Sequence, residues 1–231
     1  MNNSQNIHQT QKHFRRRSPL RSTTFSFMVG VFVPLATTVT HAAEPSRPGG
    51  PLNTEVTPEL RLSIEKGLSW LAEQQAEDGA FGQLSHYGPH VGITGLAGLA
   101  FMSDGDMPKR GRYGDNVDRC LSFILAHSSE SGLLAAQTSH GPMYDHGFAA
   151  LFLAEAYGMS NRSDLREKLR RAIRLIVQTQ NDEGGWRYQP VRNDADISVT
   201  VCQLMALRAA RNVGIYVDKN VIDRATEYVR A

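Results

Sequence analysis

Residues 173–186 read Ile173-Arg174-Leu175-Ile176-Val177-Gln178-Thr179-Gln180-Asn181-Asp182-Glu183-Gly184-Gly185-Trp186. An earlier stretch reads Leu68-Ser69-Trp70-Leu71-Ala72-Glu73-Gln74-Gln75-Ala76-Glu77-Asp78-Gly79-Ala80-Phe81-Gly82. Gln75 matches Gln180, Gly79 matches Gly184, and Phe81 stands where Trp186 does. The offset is 105 residues, or two periods of about 52. A degenerate copy lies between them: Leu121-Ser122-Phe123-Ile124-Leu125, then Ser131-Gly132-Leu133-Leu134. Gly132 falls 53 residues after Gly79 and 52 before Gly184. A fourth copy begins at Ala225-Thr226-Glu227-Tyr228-Val229. Self-similarity at a fixed period is the signature of a repeat architecture.

Each unit reads as two helices. The first is amphipathic, with Leu60, Ile64, Leu68 and Leu71 on one face, as are Leu165, Leu169, Ile173 and Ile176. The second is more apolar and rich in small residues. Its copies begin at Gly92-Ile93-Thr94-Gly95, Gly147-Phe148-Ala149-Ala150 and Val199-Thr200-Val201-Cys202. Small residues let helices approach closely, so the second helices are expected to form an inner layer and the first an outer one. Strand signals are absent, and the predicted class is all-α. Gly79 or Gly184 is expected to end the first helix in a left-handed conformation. The preceding Gln would bond carbonyls of that helix end, and Phe81 or Trp186 would cover the turn.

Outside the repeats, the charge is concentrated at one end. Lys12, Arg15, Arg16, Arg17 and Arg21 stand in residues 1–43 with no acid, and without them the net charge falls from +2 to −3. The basic balance therefore belongs to the leader, and no nucleic-acid partner is expected. From Ser22 to Thr40 no residue is charged, and Thr40-His41-Ala42 has the small-x-small pattern of a cleavage site. Residues 1–43 read as an export signal for the periplasm or the exterior. An uncleaved membrane anchor is the alternative. Arg16-Arg17 also resembles a twin-arginine signal. Residues 44–56 are a Pro/Gly linker, and Thr57-Pro58 opens the repeat domain, 57–231. The two cysteines, Cys120 and Cys202, lie in apolar helical runs and read as small buried hydrophobes.

The pattern Gln-(x3–4)-Gly-x-aromatic closing a helical hairpin resembles the QW-type repeat of the squalene cyclase and protein prenyltransferase superfamily. The resemblance rests on Gln75…Gly79-Ala80-Phe81 and Gln180…Gly184-Gly185-Trp186, and covers roughly residues 57–231. It implies an α/α toroid, two concentric rings of helices around a central cavity. With three hairpins and the start of a fourth, the ring is expected to be incomplete. Either it holds an isoprenoid or other lipid, or a protein partner completes it.

The resemblance also directs attention to the turns before the second helices. Squalene–hopene cyclases carry Asp-x-Asp-Asp after a QW turn; here the matching place reads Asp194-Ala195-Asp196-Ile197. Asp196 then falls on the protonating acid, but Ile197 replaces the last carboxyl. Helix capping explains Asp194 or Asp196 equally well. The zinc set of prenyltransferases, Asp-x-Cys with a distant His, is missing, so neither metal nor other cofactor is expected. His86 and His90, four apart in a Gly/Pro loop, are a weak metal signal. In a toroid the equivalent turns share one rim. That rim would gather His86, Tyr87 and His90, then His140, Tyr144, Asp145 and His146, then Tyr188, Asp194 and Asp196. Asp145 with His146 could act as an acid–base pair, and His90, Tyr144 and Tyr188 could contact a substrate. The expected function is a divergent, non-catalytic binding protein; the alternative is a terpenoid-cyclase-like enzyme with Asp196 as general acid.

Overall fold

The structure is a computed structural model that describes residues 56–83, 85, 88–136 and 141–231. The leader, residues 1–43, and the linker up to 55 lie outside the described residues, as do His86, Tyr87 and His140. Among the described residues the regular structure is all helical. The helices are α1 (Pro58–Glu73), α2 (Val91–Ser103), α3 (Gly114–Ala126), α4 (Met143–Tyr157), α5 (Leu165–Thr179), α6 (Ile197–Asn212) and α7 (Lys219–Arg230). None of them is long and apolar enough to cross a membrane.

The apolar second helices pack on one another. α4 lies between α2 and α6, α3 rests on α2, α5 bridges α4 and α6, and α7 rests on α6. Eleven of the fifteen residues of α4 are buried, which an apolar helix covered on every side requires. α5 shows the opposite pattern. Leu165, Leu169, Ile173 and Ile176 are buried, while Arg166, Arg170 and Arg174 are exposed. Each fully buried leucine or isoleucine of this kind contributes roughly 1.5–3 kcal/mol.

α1 departs from the expected pattern. Leu68 is buried, but Leu60 and Ile64 are 46% and 40% exposed. The stripe on α5 is covered by α4 and α6, whereas α1 packs mainly on α2 and more sparsely. Thr57 caps α1 as its sequence foretells, accepting from the Leu60 N–H at 3.2 Å.

Glycine sets the spacing between α2 and α4. A Cβ on Gly92 would lie 2.7 Å from Asp145 Oδ1, one on Gly95 3.0 Å from the Phe148 carbonyl oxygen, and one on Gly98 2.4 Å from the Phe152 ring. The pairing advances along both helices together, so α2 and α4 run parallel.

The three turn glycines share one geometry. Gly79, Gly132 and Gly184 have φ of 92°, 93° and 96°. A Cβ on them would meet the carbonyl oxygens of Arg119, Arg171 and Arg224 at 2.4, 2.5 and 2.5 Å. Those carbonyls belong to α3, α5 and α7. The expected role of these glycines changes accordingly. α1 and α5 already end at Glu73 and Thr179; the glycine sits later, where the turn presses on α3, α5 or α7. The glutamines also reach further than expected. Gln75 Nε2 donates to the Gly79 and Asn116 carbonyls, each at 3.0 Å. Gln180 Nε2 donates to those of Gly184 at 2.8 Å and Val221 at 2.9 Å. Gln75 thus ties its own turn to α3 and Gln180 to α7.

Candidate functional site

The aromatic turn residue is held by the helix that follows it. The Phe81 N–H donates to Thr94 Oγ1 at 2.9 Å and the Trp186 N–H to Thr200 Oγ1 at 3.1 Å. In the middle unit the Leu134 N–H donates to His146 Nδ1 at 3.1 Å. His146 therefore occupies the threonine position of its neighbours. Its Nε2 donates to the Ala172 carbonyl at 3.1 Å, which fixes the neutral tautomer. Burial pushes the imidazole down to about 4. Both ring nitrogens are engaged with backbone, so Asp145 is paired elsewhere.

Asp145, 2% exposed, turns toward α2. Its Oδ1 lies 2.8 Å from His90 Nδ1. His90 is the N-cap of α2 and also approaches the Ile93 N–H through Nδ1, at 3.4 Å. One nitrogen cannot accept from an amide and donate to a carboxylate together. As the α2 cap, Nδ1 accepts from the Ile93 N–H and directs no aligned N–H at Asp145. The contact is an electrostatic one, because neither oxygen of Asp145 makes an aligned hydrogen bond. The acid–histidine pair of this rim is His90–Asp145, between two units, in place of Asp145–His146 within one.

The third unit supplies a second cluster. Asp196 is the N-cap of α6 and accepts from the Ser198 and Val199 N–H groups at 2.9 and 3.2 Å. Its Oδ1 also accepts from the Ser198 hydroxyl at 2.5 Å, and Tyr188 OH lies 3.4 Å from Oδ2. The Ser198 hydroxyl holds the carboxyl below its ordinary value against the opposing effect of burial, with smaller help from the Val199 and Ser198 N–H groups and the Tyr188 hydroxyl. Tyr144 OH meets Ser198 Oγ at 2.5 Å, and the Tyr144 and Tyr188 rings stack with centroids 6.0 Å apart. Arg187 lies over the Tyr188 ring, 5.2 Å from its centroid, and pairs with Asp194. Asp194 is exposed and caps nothing; Asp196 alone fulfils the capping expectation.

The N-terminal ends of α2, α4 and α6 therefore bring His90, Asp145, Tyr144, Tyr188, Asp194 and Asp196 to one rim. Ser198 and Arg187 join them without a motif to announce them. The offset between Tyr144 and Ser198 was the available signal, since it is one repeat period. His146 stays beneath the rim as a turn anchor.

The two cysteines are free and buried. Burial pushes the Cys120 thiol up to about 12 and the Cys202 thiol up to about 11, so both stay protonated. Among the described residues no group of three or more His, Cys, Asp or Glu side chains could hold a metal ion. No protein-family model matches the chain, and no curated protein matches it.

Proposed function

We propose that the chain is an exported helical-repeat protein of the squalene-cyclase and prenyltransferase type, in which the rim binds a ligand without transforming it. The finer architecture in this reading is of the α/α-toroid type, with α2, α4 and α6 inside and α1, α3, α5 and α7 outside. The observation that carries the reading is the state of Asp196. A carboxylate that caps a helix, accepts four hydrogen bonds and sits below its ordinary pKa is ionised at neutral pH. It has no proton to give an alkene. An isoprenoid or other lipid would lie against Ile93, Leu96, Val201 and Met205, which are exposed on the two flanking helices. A protein partner would cover the same residues. Nucleic acid, metal and cofactor have no part in this reading, and a membrane enters only through a retained leader.

The test is incubation of the purified chain with squalene and with a polyprenyl diphosphate, products being followed by mass spectrometry. Unchanged substrate is expected. Cyclised product that disappears in Asp196→Asn would overturn the binding reading in favour of a cyclase-like enzyme. One observation favours that second reading: the same hydrogen bonds that ionise Asp196 make its protonated form a stronger acid. For export, the mature protein is expected to begin at Ala43, read by N-terminal sequencing of the extracytoplasmic fraction.

A further inference from the structure

At the end of α4 and α6 away from the rim, an outer helix meets the loop that follows an inner one. Between α3 and the loop 158–164 the chain sets its own cations against the wall, beside an opening of about 690 Å³ lined by Lys109, Asp118 and Arg162. Arg162 donates to Ser122 Oγ on α3 at 2.8 Å and pairs with Asp164 at 3.2 Å. Lys168 donates to the Leu125 carbonyl at 2.9 Å, and Lys109 pairs with Asp118 at 3.1 Å. The wall on α3 is acidic or polar, and the chain provides the cations that cover it.

The next unit repeats the groove with the charges reversed. An offset of 52 carries Asp118, Leu121, Ser122 and Leu125 to Arg170, Ile173, Arg174 and Val177. An offset of 54 carries Arg162 and Asp164 to Tyr216 and Asp218. These six residues line a cleft of about 260 Å³ between α5 and the loop 213–218. The wall residues Asp118 and Ser122 have become two guanidinium groups. The residue in place of the Arg162 plug, Tyr216, is 87% exposed and leaves the cleft open. Ile173 and Ile215 give it a buried apolar floor. Asp218 caps α7, accepting from the Asn220 N–H at 3.0 Å. Arg170 has a distant partner in Glu167, at 3.9 Å, and Arg174 has no ion-pair partner among the described residues.

We propose that this cleft docks an acidic peptide segment of a partner protein. A carboxylate side chain takes the place that Arg162 holds in the preceding unit, with the sign inverted. Guanidinium forks match carboxylates in planar, bidentate geometry, which selects carboxylate over other polar groups. An apolar neighbour in the segment rests on Ile173 and Val177, and Tyr216 covers it. The site lies at the opposite end of α6 from Asp196, so failure of the rim reading leaves it untouched.

The experiment is fluorescence anisotropy of the full chain with a fluorescein-labelled peptide of alternating Glu and Leu. The analogue with Gln in place of Glu is the uncharged control. Saturable binding of the Glu peptide alone is expected. Arg170→Ala with Arg174→Ala should weaken it at least about tenfold. Tyr216→Glu, which supplies an internal carboxylate plug, should abolish binding while circular dichroism and the melting temperature stay at wild-type values. Equal binding of both peptides overturns the proposal, as does an affinity unmoved in both variants. So does displacement of the Glu peptide by duplex DNA or phosphatidylglycerol vesicles at the same charge concentration, which would make the cleft a general polyanion surface.

Discussion

His146 Nε2 donates to the carbonyl oxygen of Ala172 at 3.1 Å, joining the first turn of α4 to the middle of α5. The Leu134 N–H lies on its other nitrogen. Because burial holds the folded imidazole down to about 4, against 6.5 when unfolded, the unfolded chain binds the extra proton first. Stability is therefore full above pH 6.5 and is lost as the pH falls toward 4. The shift corresponds to about 3 kcal/mol at most. Urea unfolding at neutral pH and at the acid end of that window should show the loss. His146→Thr, which places the residue of the two neighbouring units there, should flatten the dependence. An acid limb of unchanged slope in that variant would assign it to other groups.

Gly184 and Gly214 both have positive φ, 96° and 80°, but only Gly184 is crowded. Its Cβ would lie 2.5 Å from the Arg224 carbonyl oxygen, whereas Gly214 has nothing within 4 Å. Gly214→Ala should cost about 1 kcal/mol for the left-handed backbone alone. Gly184→Ala must also move α7, and should cost about 3 kcal/mol or more. Equal denaturation midpoints for the two variants would contradict the turn-to-helix contact.

Gly92→Ala tests the α2–α4 spacing. The new Cβ would stand 2.7 Å from Asp145 Oδ1 and 3.0 Å from Asp145 Cα, so the helices must separate. A loss of about 2 kcal/mol is expected. Gly67→Ala is the control: it lies within α1 with nothing within 4 Å, and should stabilise by up to about 1 kcal/mol.

Asp196→Asn keeps an acceptor at the α6 N-cap and should cost under about 0.5 kcal/mol, while Asp196→Ala should cost about 1 kcal/mol. Because the folded carboxyl lies below its ordinary value near 3.8, its ionisation stabilises the fold above that pH. The contribution is lost as the pH falls through the lower, folded value. Thermal melts across the acid range, compared with Asp196→Asn, read it directly.

Much of the fold was legible because the chain states the same pattern three times. The second helix of each unit is apolar because these helices pack on one another, α4 between α2 and α6. The turn glycines were legible as glycines, but their reason was not. Helix-ending chemistry is local and belongs to a single turn; the contact with Arg119, Arg171 or Arg224 forms only when the next outer helix arrives. The exposure of Leu60 and Ile64 was hidden for a similar reason. Periodicity assigns a face to the core, and the number of neighbours decides how much of it is covered.

The candidate site divides in the same way. The sequence by itself determined that His90, Tyr144, Asp145, Tyr188 and Asp196 precede or open inner helices, because repeat position follows from counting. It also determined the capping role open to Asp196. Tertiary structure decided the pairings: His90 with Asp145, Tyr144 with Ser198, and His146 with two backbone groups. Adjacent residues at the start of a helix point about 100° apart, so Asp145 and His146 diverge although they are neighbours in the chain. Residues one repeat apart come into contact because parallel helices in matching register place them there.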